Sequence, residues 1–198
     1  MESLNQSLFL LLNAPAHPGY SMVLFAKLLA EGLVWLIPLT LIANWLSGQQ
    51  ERRRIAVMAT LAGLSALLLN QVVGLFWQHP RPFMIGLGHT LIDHSPDSSF
   101  PSDHLSLIWA VALQLQVQVK TRISGLLLAL MGIPVAWARI YLGVHFPLDM
   151  LGALISGGLS AWLCHRIHTP FANQLYQWTE RLYQWLLNPL IRRGWLTR

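Results

Sequence analysis

Long apolar stretches separated by short polar ones organise this chain. A membrane-crossing helix needs about 20 mostly apolar residues, and five stretches meet or approach that length: roughly Ser21–Leu46, Ile55–Trp77, His104–Val119, Ile123–Ile140 and Leu148–Leu163. The third is diluted by Gln114, Gln116 and Gln118 and is expected to face protein rather than lipid. The N-terminal LNQSLFLLLNA is too short to span and reads as an interfacial helix. The C-terminal LYQWTERLYQWLLNPLIRRGW mixes aromatics with arginines and reads as an amphipathic helix lying on the surface. The pattern predicts an all-α, polytopic membrane helical bundle of about five transmembrane helices with interfacial helices at both ends. It is expected to form one domain over 1–198, with its core at 55–165, an interfacial segment at 1–17 and a cytoplasmic amphipathic tail at 166–198.

Composition agrees. Of 198 residues, 54% are hydrophobic and 11% charged. A soluble domain carries about a quarter charged residues. The net charge of +5 and pI of about 10 would suggest nucleic acid in a soluble protein. Here the positions of the charges explain them instead, and no nucleic-acid partner is expected. Arg52, Arg53, Arg54, Lys120, Arg122, Arg166, Arg181, Arg192, Arg193 and Arg198 fall on one side of the alternating spans. The positive-inside bias makes that side cytoplasmic, with the N-terminus outside and the C-terminus inside. The single cysteine, Cys164, excludes an internal disulfide and a cysteine-based zinc site. The N-terminus has neither a basic n-region nor a small-residue cleavage site, so no secretory signal is expected there.

The opposite side keeps two arginines, Arg81 and Arg139, among His79, His89, His94, His104 and His145 and Asp93, Asp97, Asp103 and Asp149. Ionisable groups at the edge of a membrane bundle are costly unless paired or solvated, so such a gathering marks a functional site. It falls into HPRPF (79–83), FPSDH (100–104) and ARIYLGVHFPLD (138–149). Guanidinium forks match phosphate oxygens. Ser102 before an apolar helix suits an N-cap, whose following amides form an anion site. His145 and Asp149, four apart, share a face if that segment is helical. Asp149 would then hold one ring nitrogen and leave the other nucleophilic. His104 is placed to protonate a leaving oxygen. No metal ligand set is needed; His79, His89 and His94 with Asp93 or Asp97 read as loop polarity rather than a zinc site. Lys27 and Glu31, four apart in the first span, are expected to pair.

These clusters resemble the type 2 phosphatidic acid phosphatase superfamily, whose motifs read K-x6-R-P, P-S-G-H and S-R-x5-H-x3-D. The chain carries Arg81-Pro82, then Pro101-Ser102-Asp103-His104, then Arg139, His145 and Asp149 at the family spacing. SFPSDH, an arginine followed by Pro-Phe, and five spans are most similar to bacterial undecaprenyl diphosphate phosphatases of the bacitracin-resistance type. The resemblance implies that His145 attacks the terminal phosphorus to form a phosphohistidine, that Asp149 orients it, and that His104 protonates the leaving group and then activates water. It implies that Arg81, Arg139 and Ser102 hold the non-bridging oxygens without metal or cofactor. The substrate would be a lipid diphosphate in the bilayer, worked on at the periplasmic face of a bacterial inner membrane.

Three positions depart from the family pattern. Gly74 stands where the family has lysine, Ala138 where it has serine, and Asp103 where it has glycine. Asp103 is either a site residue, orienting an arginine or water beside the substrate, or a solvated first-turn acid. Gln78 or His79 are candidates to replace the lysine. A phosphotransferase on the same scaffold, a phosphatidylglycerol phosphate or phosphatidic acid phosphatase, and a non-catalytic headgroup binder or transporter subunit stay open.

Overall fold

A computed structural model describes residues 2–166 and 170–197, the side chains of 170–172 excepted. Arg198, counted above among the basic positions, lies outside the described residues. The described residues form helices joined by turns and loops, without strands. They are α1 (Glu2–Leu12), α2 (Tyr20–Lys27), α3 (Leu36–Leu46), α4 (Gln50–Phe76), α5 (Asp103–Gln116), α6 (Arg122–Tyr141), α7 (Pro147–Arg166) and α8 (Pro170–Arg192). A π-turn over Leu28–Gly32 and a 3-10 turn over Leu33–Trp35 join α2 to α3 into one apolar rod, Tyr20–Leu46.

Four helical rods are long and apolar enough to cross a bilayer: Tyr20–Leu46, α4, α6 and α7. The third predicted stretch became α5, which has only 14 residues. At 1.5 Å per residue its helix measures about 21 Å, and the turn over 117–121 carries the chain on to the Glu51–Lys120 end of α4. It is the hub of the bundle, packed among α4, α6 and α7. Leu105, Ile108, Val111, Ala112 and Leu115 are buried there with Gln114, as expected of a protein-facing helix, while Gln118 lies beyond α5 and is exposed. Small residues allow the close approach. A Cβ on Gly157 would stand 2.9 Å from Ser106 O and Ala110 N, and one on Gly152 would strike the Phe100 ring. Gly158 has no such need, its nearest neighbour being 3.8 Å away.

The expected pairing of Lys27 with Glu31 does not form. The π-turn explains this: an i→i+5 turn is wider, so residues four apart no longer stack.

α4 and α5 run antiparallel and are tied at both ends. Glu51 pairs with Lys120 at 2.6 Å at one end, and Asn70 Nδ2 donates to Asp103 Oδ1 at 2.8 Å at the other. The first end also gathers Arg53 and α8. Arg53, 1% exposed, donates to Trp45 O (3.0 Å), Glu180 Oε1 (3.2 Å) and Thr197 O (3.0 Å), between the Trp45 and Tyr183 rings. The second end carries the site. α5 starts level with Asn70, six residues before α4 stops at Phe76. Six residues of helix are about 9 Å, so the mouth of α5 is recessed below the rim of α4.

Candidate active site

Three chain segments reach this recess, each for a local reason. After α4, Pro80 and Pro82 forbid continued helix, and the chain turns out extended before a single 3-10 turn over Pro82–Ile85. Arg81 is the residue before that turn and is 5% exposed. α6 ends at Tyr141, and Gly143 (φ +83°) reverses the chain. A Cβ at Gly143 would fall onto the His89 carbonyl, so both the dihedral and the space require glycine. That reversal places Arg139 on the last turn of α6 and His145 just before α7, which Pro147 opens. The third segment, 94–102, leads into α5.

Side chains far apart in sequence meet here. Arg81 Nη1 lies 3.2 Å from His145 Nε2 and donates to Val144 O at 2.9 Å. His145 Nδ1 faces two acceptors, Ser99 O at 3.0 Å and Asp149 Oδ2 at 3.2 Å. Nδ1 therefore carries the proton, and Nε2 keeps its lone pair. Asp149 Oδ2 also accepts from Phe146 N (2.7 Å) and from the Ser99 hydroxyl in a short bond. Asp149 and His145 are both buried. Burial first, then the nearby charges of Arg139 and Arg81, lower the His145 pKa well below the usual histidine range. The ring is neutral at neutral pH.

Arg139 is buried; its Nη2 sits 3.0 Å from His94 Nε2, and its Nε has no protein partner. The His94 ring lies 6.2 Å from that of His145. His94 Nδ1 faces Ser95 O at 3.1 Å, which makes Nδ1 the donor and Nε2 the acceptor toward Arg139. Burial, then the Arg81 and Arg139 charges, lower the His94 pKa, against a raising contribution from the Ser95 hydrogen bond. His94 is thus a member of the site and not mere loop polarity.

Ser102 occupies the N-cap position of α5, as expected, but its hydroxyl caps nothing: Oγ is buried without a protein partner. The Ser102 amide donates to Asp149 O at 3.3 Å, tying α5 to α7. Ser102 Oγ and Arg139 Nε therefore retain bonding capacity for a ligand at the N-terminus of α5, where the helix dipole favours an anion. His104, half-buried on the first turn, is within electrostatic reach of Arg139, His94 and Arg81.

Asp103 Oδ1 accepts from Asn70 Nδ2 at 2.8 Å, and Asn70 also bonds Ser106 (2.9 Å) and Ser156 (2.6 Å). Beside it lies a polar cleft of about 360 Å³ bounded by Gly74, Gln78, Arg81, Asp97 and Asp103. The lysine position thus opens into space beside Arg81. His79 does not fill that role: its Nε2 faces Glu2 Oε2 at 3.5 Å and its ring packs on Phe146. Among the described residues no group of three His, Cys, Asp or Glu side chains is arranged to hold a metal ion.

Sequence reasoning missed His94 as a partner of Arg139, Asp97 as a partner of Arg81, Ser99 as a partner of His145 and Asp149, and Asn70 as the partner of Asp103. The only advance signal was the clustering of HSPDSS (94–99) before FPSDH.

Residues 53–172 match the model of the PAP2 superfamily. The chain is 34% identical to YbjG of Escherichia coli K12, an inferred undecaprenyl-diphosphatase, over 99% of this chain and 98% of that one. It is 28% identical to the undecaprenyl-diphosphatase BcrC of Bacillus subtilis, over 96% and 97% of the two chains. Its fold is similar to the crystal structure of Aquifex aeolicus LpxE, with a TM-score of 0.67, 26% identity, and 82% and 95% of the two chains covered.

Proposed function

The chain belongs to the PAP2 superfamily as an all-helical, multi-pass membrane phosphatase, and on that premise we propose that it hydrolyses undecaprenyl diphosphate to undecaprenyl phosphate and inorganic phosphate. One observation carries the reading: a buried, neutral imidazole whose free Nε2 lies 3.2 Å from the Arg81 guanidinium. That is a nucleophile already beside the cation that a phosphoryl oxygen would meet. The substrate follows from the relatives named above, which align along nearly their whole length.

In this mechanism the terminal phosphate sits between Arg81 Nη1, Arg139 Nε and Ser102 Oγ. His145 Nε2 attacks phosphorus, and the bond from phosphorus to the bridging oxygen breaks. The electron pair leaves with undecaprenyl phosphate, whose bridging oxygen takes a proton from His104. Proton-bearing Nδ1 gains positive character as the N–P bond forms, and Asp149 Oδ2 stabilises it. His104 then takes a proton from water, whose oxygen attacks the phosphohistidine. Phosphate departs, and the imidazole returns to its starting form. The arginines supply the charge stabilisation that dominates phosphoryl transfer.

The recessed site lies at the Asn70–Asp103 end of α4, away from the Glu51–Lys120 end, and the positive-inside bias supports reading its face as the outer, periplasmic side of a bacterial inner membrane. A diphosphate headgroup there keeps its polyprenyl tail in lipid.

The test is release of phosphate from purified protein given undecaprenyl diphosphate, phosphatidylglycerol phosphate or phosphatidic acid, with EDTA present. One phosphate per lipid diphosphate is expected, and none from His145→Ala. Phosphate released only when a lipid acceptor is added would make the protein a transferase. Preference for phosphatidylglycerol phosphate would overturn the substrate assignment.

A further inference from the structure

One short stretch touches Arg81, Arg139, His145 and Asp149. In six residues, His94 meets Arg139 (3.0 Å), Asp97 meets Arg81, and Ser99 meets both His145 and Asp149. The contacts are of different kinds. Asp97 Oδ1 takes the side-on fork of Arg81, Nε at 2.8 Å and Nη2 at 2.7 Å. The Ser98 carbonyl takes a further Nη2 hydrogen at 3.2 Å. With Val144 O accepting from Nη1, the only direction in which Arg81 can still donate is toward His145 Nε2. Asp97 therefore leaves the guanidinium one free contact, aimed at the nucleophile, and not a two-pronged phosphate clamp.

The stretch is itself anchored. The Ser99 amide donates to His79 O at 2.8 Å, and the Ser98 hydroxyl reaches Trp77 O and Phe100 O, both at 3.2 Å. It is thereby tied to the end of α4 and the start of α5.

Resting on the phosphohistidine reading above, we propose that residues 94–99 act as a strap whose His94, Asp97 and Ser99 are positioning residues. They hold two arginines and one histidine, contributed by separate helices, in the register that in-line attack requires. Arg81 follows α4, Arg139 ends α6 and His145 precedes α7, so no single helix sets their spacing. A displacement of about 1 Å at a reacting group can cost about a hundredfold in rate, and the strap is the element that contacts all three.

The test uses full-length protein with His94→Ala, Asp97→Ala and Ser99→Ala, the conservative His94→Gln and Asp97→Asn, and the exposed neighbour Asp93→Ala as control. Each alanine variant is expected to lower kcat about tenfold or more, with KM changed less than about threefold. Asp97→Asn keeps a carbonyl acceptor for Arg81, and His94→Gln keeps one for Arg139, so both should recover much of the loss. Asp93→Ala should match wild type. Asp97 is 60% exposed, so thermal unfolding of Asp97→Ala should hardly move, which separates positioning from folding.

Binding of orthovanadate, a mimic of pentacoordinate phosphorus, is measured alongside and should weaken in the same order. That arm does not depend on the lipid: failure of undecaprenyl diphosphate to react would fault the substrate assignment and leave the strap under test. Three alanine variants within about twofold of wild type in both kcat and vanadate affinity would overturn the proposal. Losses not recovered by the conservative variants would do the same.

Discussion

Replacing Asp149 by asparagine asks what the carboxylate contributes beyond holding a ring. Its Oδ2 receives Phe146 N–H at 2.7 Å, the Ser99 hydroxyl, and His145 Nδ1–H at 3.2 Å. All three are donors, and the Phe146 amide can be nothing else, so the asparagine must place its carbonyl oxygen there. Its NH2 then takes the position of Oδ1, which has no protein partner to clash with. His145 Nδ1 keeps a second acceptor in Ser99 O at 3.0 Å. The tautomer should survive, and only the charge is lost. A hydrogen bond to a charged group contributes about 1.5–3 kcal/mol and a neutral one about 0.5–1.5. The difference of about 1–1.5 kcal/mol, felt as the ring becomes positive, is about 5–13-fold in kcat at 1.36 kcal/mol per decade. A histidine left in the wrong tautomer costs far more, about 10⁴-fold when the aspartate of a Ser-His-Asp triad is changed this way. The assay is the initial rate of phosphate release at saturating lipid diphosphate in detergent, with thermal unfolding as the check on folding. A folded Asp149→Asn protein slowed about 10⁴-fold would refute the argument that Ser99 O shares control of the proton.

Other outcomes follow from the same geometry. The proposed attack needs neutral His145, and burial with two nearby guanidiniums lowers its pKa; protonation therefore sets in at lower pH than usual, and the acid limb of kcat/KM from this group should lie below about 6.5. A pH profile with that limb above 7 would contradict it. Arg139→Lys should lower kcat/KM about a hundredfold, because a single ammonium cannot both meet His94 Nε2 and present a second donor in place of Nε; near-normal kinetics would count against phosphate contact. Arg53→Ala removes the buried centre that ties α8 to Trp45 and Thr197. It should cost about 3–5 kcal/mol of stability by chemical denaturation yet leave kcat of the folded protein near wild type, since Arg53 and Asn70 are 17 residues, about 25 Å, apart along α4.

By itself the sequence determined the apolar rods, the side on which positive charge collects, and Arg81, Ser102, His104, Arg139, His145 and Asp149 as candidate site residues. Each of these is local or periodic information: transfer free energy accumulates along about 20 consecutive residues, and motif spacing is counted along the chain. Only the tertiary structure decided that α5 is a 14-residue buried hub, that the Lys27–Glu31 pairing is undone by a π-turn, and that Asp103 answers to Asn70. It also decided that the His145 proton is shared by a backbone carbonyl, Ser99 O, which side-chain identity does not encode. The strap from His94 to Ser99 belongs to the same class. Its partners lie 16 to 50 positions away, and such contacts arise only once packing of α4, α5, α6 and α7 has fixed where their ends stand relative to one another.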